Sequence, residues 1–269
     1  MKLFTSNGDK MGILVQKFPA GETLVRILAP AFSFHEVFQA VTIKLNFKGD
    51  DDLMELLLLT DAVKRKYPSS PIHLLMPYFP HARQDRVCAP GESLSAKVVA
   101  DLINAQGYAS VTCWDLHSEV SVALLNNLRH VELDELVKKI PAEARGAILV
   151  SPDAGANKKV FNVAKQFGPD VEVVRADKVR NVLTGEITGT TVYCGSVGSR
   201  DFLILDDICD GGRTFIELAK ELHKLTHGKI YLYVTHGIFS KGYDELAEHI
   251  DRIYTANLMG EPHHLVRVI

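Results

Sequence analysis

Short apolar runs alternate along the chain with longer stretches in which apolar residues return every three or four positions. Runs at 41–47, 72–76 and 110–114 bracket amphipathic stretches at 53–66 and 94–104. The short runs have the length of buried strands, and the long ones have the period of helices resting one face on a core. The rhythm resumes at 147–150, 159–167, 171–174, 202–205, 216–225 and 230–234. Strands alternating with helices predict parallel sheets joined by crossover helices, hence an α/β fold. Residues 133–145 read as a helix plus connector, which places a soft division near residue 140, between domains at 1–140 and 141–269. One segment breaks the rhythm: residues 182–193 set Thr-Gly turn signals among β-favouring residues and predict a projecting β-hairpin.

Composition narrows the class. With 269 residues, 46% of them hydrophobic, the chain can bury one large or two medium cores. Its 30 basic and 33 acidic residues leave a formal charge of -3, so no global field draws nucleic acid or an anionic membrane. Any anion must be held by a local site. The start, Met1-Lys-Leu-Phe-Thr-Ser-Asn-Gly8, lacks an apolar signal segment, and the most apolar stretch, 53–63, is broken by Glu55 and Asp61. The expectation is a cytoplasmic protein with no membrane and no nucleic-acid partner. Cys88, Cys113, Cys194 and Cys209 show neither metal-ligand spacing nor disulfide-scaffold density, and read as free thiols.

The sharpest chemical signal follows the apolar run 202–205: Asp206-Asp-Ile-Cys-Asp-Gly-Gly-Arg-Thr214, then Phe215, Leu218, Ala219 and Leu222 at helical spacing. Acids and glycines thus stand at a strand's carboxyl end, where open parallel sheets bind ligands. Gly211 and Gly212 permit a sharp turn and close backbone approach, and the N–H groups around Arg213 and Thr214 lack partners at the new helix start. Such donors suit a phosphate. Asp206 and Asp207 would repel phosphate but accept hydrogen bonds from paired sugar hydroxyls. The turn reads as a pentose-phosphate cradle. In the plainer alternative the aspartates end a strand, and Asp210 with the glycines makes a turn and helix cap. Each feature is common singly; their combination at fixed spacing favours the cradle.

Other predicted strands end in polar chemistry too. Arg83, Gln84, Asp85 and Arg86 follow a stiff Pro77-Tyr-Phe-Pro80 entry, and two guanidinium forks suit a polyphosphate better than a merely solvated loop would need. Asp115, His117 and Asp153 form a candidate divalent-metal and phosphate site, with oxygen ligands suited to Mg²⁺. For His117 alone, a backbone-bonded histidine at a strand end is an equal reading. Lys178 and Arg180, two apart before the predicted hairpin, could compensate charge on a phosphoryl group, or face solvent as ordinary surface cations.

From about residue 17 to about residue 240, this ordered set resembles the ribose-phosphate pyrophosphokinase family. The resemblance rests on Tyr78-Phe-Pro-His-Ala-Arg-Gln-Asp85 with Ser95-Ala-Lys97, on Asp115-Leu-His117 and Ser151-Pro-Asp-Ala-Gly155, on Lys178 and Arg180, and on the 206–214 turn with Thr235-His-Gly-Ile-Phe-Ser240. It implies two phosphoribosyltransferase-like domains, each a mainly parallel sheet flanked by helices, with the nucleotide side first and the ribose 5-phosphate side second. It also implies transfer of the β,γ-diphosphoryl group of Mg-ATP to the 1-hydroxyl of ribose 5-phosphate, with AMP leaving. Carried over, Phe18, Glu22, Arg83, Gln84, Asp85 and His117 hold ATP. Asp206 and Asp207 hold the ribose hydroxyls, and Asp210, Gly211, Gly212, Arg213 and Thr214 the 5-phosphate. His117 and Asp153 go with Mg²⁺, and Lys178, Arg180 and His117 act on the transferring group.

The resemblance further implies a homo-oligomer built from dimers, in which Phe18 and Glu22 complete a neighbour's nucleotide site. Two departures stand out: Ala20 occupies a place where the family usually has Asn or Asp, and Arg213 one where it usually has Gly. A phosphoribosyltransferase acting on a nucleobase and a non-catalytic, synthetase-associated subunit stay open as alternatives. The Arg83 loop speaks against the first; retention of Lys178, Arg180, Asp206 and Asp207 speaks against the second.

Overall fold

The computed structural model describes residues 1–28, 39–180 and 187–269, and the side chains at 178–180 and 187–188 lie outside that description. The chain forms two compact units, Met1–Val131 and Glu132–Ile269.

In the first unit, β1 (Lys2–Thr5), β2 (Lys10–Lys17) and β3 (Thr23–Leu28) precede β4 (Val41–Lys44), α1 (Asp51–Lys66), β5 (Ile72–Leu75), α2 (Ser95–Asn104), β6 (Ser110–Trp114), α3 (Glu119–Leu124) and β7 (Leu128–Val131). Among the described residues they make a seven-stranded sheet, β3-β2-β1-β4-β5-β6-β7. Pairing is antiparallel from β3 to β4 and parallel from β4 to β7. In β4, Val41 and Ile43 are buried while Thr42 and Lys44 are not, the period of two expected of a pleated strand. Helix α1 buries Leu56, Leu59, Thr60 and Val63, one stripe at helical spacing, with acids in its first turn and bases in its last as the macrodipole favours.

The second unit runs α4 (Leu133–Leu136), α5 (Ala142–Arg145), β8 (Ile148–Ser151), α6 (Asn157–Phe167), β9 (Val173–Arg180), β10 (Ile187–Val192), β11 (Phe202–Cys209), α7 (Arg213–His223), β12 (Ile230–Gly237), α8 (Asp244–Ala247), β13 (Arg252–Leu258) and β14 (Val266–Val268). Its sheet, β10-β9-β8-β11-β12-β13-β14, is parallel except for the edge pair β9 and β10. The central strands are buried on both faces, which is why 202–205 and 230–234 read as unbroken apolar runs. Phe202 and Ile204 enter one core with Phe215, Leu218 and Leu222 of α7; Leu203 and Leu205 enter another with Leu133, Val137, Val160 and Val163.

The α/β fold agrees with the sequence pattern: the second sheet is mainly parallel, and the first is mixed, its parallel half being the part that alternates strand with helix. The division falls at 131/132 rather than near 140, because Leu133, Val137, Ile140 and Ala144 pack into the second unit's core. The hairpin is β9 with β10, so Lys178 and Arg180 lie on its first strand, opposite Thr190 and Ile187, instead of before it. Residues 182–186 of the predicted hairpin lie outside the described residues. The strands at 2–28 escaped prediction because their apolar runs are short, as at residues 13–15 of β2, and stand largely exposed.

Candidate active site

In the second unit, β11 runs past the apolar segment to Cys209, paired with β12 through Asp206↔Val234, Ile208↔His236 and Cys209↔Gly237. The two aspartates are therefore strand residues, and successive side chains point to opposite faces. Asp207 is 6% exposed. Its Oδ2 lies 3.6 Å from Lys159 Nζ, on the first turns of α6. The Asp206 Oδ1 accepts the Asp207 N–H at 2.9 Å. Protein surrounds the Asp206 carboxyl closely enough that burial pushes it well above the usual carboxylate range, and the charges of Asp207 and Asp153 push the same way. Three carboxylates of the unit thus feel one another.

Asp153 sits in the loop after β8, where its Oδ1 accepts the Ala156 N–H at 3.2 Å and Ser151 Oγ donates to its carbonyl at 3.0 Å. Beyond Cys209 the chain turns through Gly212, whose φ of +78° suits glycine, and begins α7 at Arg213. The Gly212 carbonyl takes the N–H groups of Phe215 and Ile216. Those of Arg213 and Thr214 remain as helix-start donors. The loop after β12 is stitched to this turn: Ile238 and Phe239 N–H donate to the Cys209 carbonyl, Ser240 N–H to the Asp210 carbonyl, and Ser240 Oγ to Asp210 Oδ1 at 2.5 Å. Gly237 is obligatory there, since a Cβ would lie 2.2 Å from the Phe239 ring. Burial and the neighbouring Asp206 and Asp210 push the Cys209 thiol up to about 12, so it stays neutral and is no nucleophile.

In the first unit some candidate residues face solvent and others are covered. Phe79 and Ala82 are buried and pin the loop after β5, while Arg83 and Gln84 between that anchor and α2 are exposed. The Gln84 carbonyl takes the Ala96 N–H at 3.2 Å, tying the loop to the first turn of α2. Asp85 Oδ1 lies 3.4 Å from Arg86 Nε. After β6, Asp115 is 1% exposed at a φ of +40°, so it shapes the chain from inside, and His117 emerges exposed two residues on. Phe18 and Glu22 face each other across the β2–β3 turn, with Phe18 N–H donating to the Glu22 carbonyl at 2.8 Å and the Phe18 side chain 46% exposed.

The structure thus brings Asp206, Asp207, Asp153 and the 210–214 turn together in one unit, and leaves Phe18, Glu22, Arg83, Gln84, Asp85 and His117 on separate loops of the other. The side chains of Lys178 and Arg180 lie outside the description. Thr235 and His236 of the Thr-His-Gly motif are buried; Asn257 Nδ2 sits 3.1 Å from His236 Nδ1, and Thr255 Oγ1 donates to the Thr235 carbonyl. Lys159 was missed in the sequence, where a lysine in a helical first turn is ordinary. The adjacency of β8 and β11 is the signal that places it beside Asp207. Among the described residues, no group of three or more His, Cys, Asp and Glu side chains could hold a metal by itself.

A family model described as the N-terminal domain of ribose phosphate pyrophosphokinase matches residues 7–107. A ribose-phosphate pyrophosphokinase of Brucella melitensis is 31% identical over 264 residues, covering 90% of this chain and 81% of that protein. The chain belongs to the ribose-phosphate pyrophosphokinase family. Another pyrophosphokinase, of Rhizobium meliloti, is 32% identical over 259 residues with the same coverage. One of Mycoplasmopsis pulmonis is 31% identical over 217 residues, and there the match spans 65% of the relative's length. The fold agrees with the crystal structure of a phosphoribosylpyrophosphate synthetase from Mycobacterium smegmatis, at a TM-score of 0.80 and 23% identity over 98% of this chain and 87% of that one. Membership in the pyrophosphokinase family makes the chain an enzyme by kinship, and its two sheets match that architecture.

Proposed function

We propose that this enzyme transfers the diphosphoryl group of Mg-ATP to the 1-hydroxyl of ribose 5-phosphate, giving phosphoribosyl diphosphate and AMP. The observation that carries the reading is the acid pair sunk at the end of β11, beside a glycine turn with helix-start donors, in a chain of this family. Asp206 and Asp207 accept the two ribose hydroxyls and fix the sugar's orientation, which presents its 1-hydroxyl in one direction. The 210–214 turn takes the 5-phosphate through backbone N–H groups and Thr214. Arg83, Gln84 and Asp85, with His117, Phe18 and Glu22, hold the nucleotide. Lys178 and Arg180 compensate charge as the diphosphoryl group moves, so positioning and neutralisation do most of the catalysis.

A Mg²⁺ ion fits this donor set as a partner of substrate oxygens rather than of a full protein cage. Asp153 lies close enough to Asp206 to raise its pKa, and such crowded negative charge favours a cation. Asp153 would be among the residues that hold it, and bound there it would neutralise phosphate oxygens. The proposal extends to a homo-oligomer built from dimers, in which Phe18 and Glu22 complete a neighbour's nucleotide site, and to a cytoplasmic setting. Among the described residues no helix is long and apolar enough to cross a membrane. With ribose 5-phosphate and Mg-ATP, phosphorus NMR is expected to show AMP and phosphoribosyl diphosphate in equal amounts. ADP as the stoichiometric co-product would exclude diphosphoryl transfer, and consumption of phosphoribosyl diphosphate only with a nucleobase would replace it by base transfer.

A further inference from the structure

A cavity of about 340 Å³ opens beside the phosphate turn, and its turn end is lined by Gly211, Arg213 and Lys241. Lys241 reaches it because the loop after β12 is stitched to the turn through the Cys209 and Asp210 carbonyls. Its stem lies across Gly211: a Cβ there would sit 3.4 Å from Lys241 Cδ and 3.5 Å from Cε. Arg213 opens α7, where a cation meets the positive end of the helix dipole. Among the described residues neither Arg213 nor Lys241 makes an ion pair, whereas Lys220 further along the cavity is engaged by Glu217 at 3.0 Å. The acids of the cavity, Glu217, Glu245 and Glu248, line it together with His249 and the α7 side chains beyond the turn. Two unpaired cations and a helix start in one place repel each other, and an anion resolves that repulsion.

We propose that Arg213 and Lys241 form a two-cation grip on the phosphate monoester of the sugar substrate, so that they, and not the backbone turn alone, set the preference for a phosphorylated sugar. This rests on the reading of ribose 5-phosphate as the acceptor and adds side-chain recognition to it. Charge-assisted bonds from two cations tighten binding of the sugar before the diphosphoryl group moves, so their loss raises KM more than it lowers kcat. Lys241 is exposed, and its removal leaves the stitched loop's backbone bonds in place.

The test titrates ribose 5-phosphate, and unphosphorylated ribose as the control, into the full chain and into Lys241→Ala, Arg213→Ala and Lys241→Arg by calorimetry, with steady-state kinetics alongside. The expected result is a ten- to thirtyfold weaker affinity for ribose 5-phosphate in each alanine variant, unchanged weak binding of ribose, a shallower salt dependence, and recovery in Lys241→Arg to within about threefold of the parent chain. Parent-like affinity for ribose 5-phosphate in Lys241→Ala, within twofold, overturns the grip. If the parent chain binds ribose 5-phosphate in this Lys241-dependent way yet makes no AMP from Mg-ATP, the proposed reaction falls while the grip stands. If AMP and phosphoribosyl diphosphate form with the same KM in both alanine variants, the grip falls alone.

Discussion

In the unit Met1–Val131 two of the groups proposed to hold the nucleotide, Arg83 and Gln84, are exposed on a loop pinned by Phe79 and Ala82, whereas in Glu132–Ile269 the acids proposed to hold the sugar lie on a core strand. Both units use the same device, a strand whose carboxyl end carries polar residues in a seven-stranded sheet. They differ in what the fold gives up for it. Substituting an exposed cation on such a loop is expected to change binding more than stability. Neighbouring carboxylates around Asp206 repel one another before any ligand arrives, so on the proposed reading the second unit trades stability for a ready-made sugar site.

The largest effect is expected where charge develops. Lys178→Ala is expected to lower kcat by about 10²- to 10³-fold with KM for ribose 5-phosphate changed about twofold; an unaltered kcat would remove the β9 cations from the chemistry.

Next comes Asp206→Asn, which is expected to reduce turnover by about 10²-fold while raising the melting temperature of the ligand-free protein by a few degrees. The sign follows from its environment. The folded-state value lies above the unfolded one near 4, so the stability held by the proton is complete below about pH 4 and is lost as pH rises through the folded value. The asparagine variant lacks that decline, and melting curves from pH 4 to 8 would show it as a flatter profile. Loss of stability in the variant would mean that Asp206 is structural.

Smaller still is Gly212→Ala, in which a φ of +78° and a Cβ 3.2 Å from Leu246 oppose any side chain. A loss of about 1–2 kcal/mol is expected, read as a lower midpoint in urea unfolding. No change would show that the turn relaxes freely.

How much of this was legible in the sequence depended on whether function and folding left separate marks. The strands 202–205 and 230–234 were readable because burial on both faces demands unbroken apolar residues. The continuation of β11 through Asp206 to Cys209 was not, since a strand that carries acids into a ligand crevice violates the apolar pattern that defines it. The glycine turn and Arg83 loop were visible as local motifs. Lys159 beside Asp207 and Lys241 across Gly211 depend on which strands are neighbours, and no spacing along the chain encodes that. The division near 140 missed because Leu133 and Val137 look like a linker helix until their core is known.

The division of labour between the units is tested most directly by steady-state KM values for both substrates in Arg83→Ala and Asp207→Asn. The prediction is that Arg83→Ala raises KM for ATP about tenfold and leaves that for ribose 5-phosphate within twofold, while Asp207→Asn does the reverse. If each variant instead shifts both constants alike, the two units do not divide the substrates between them.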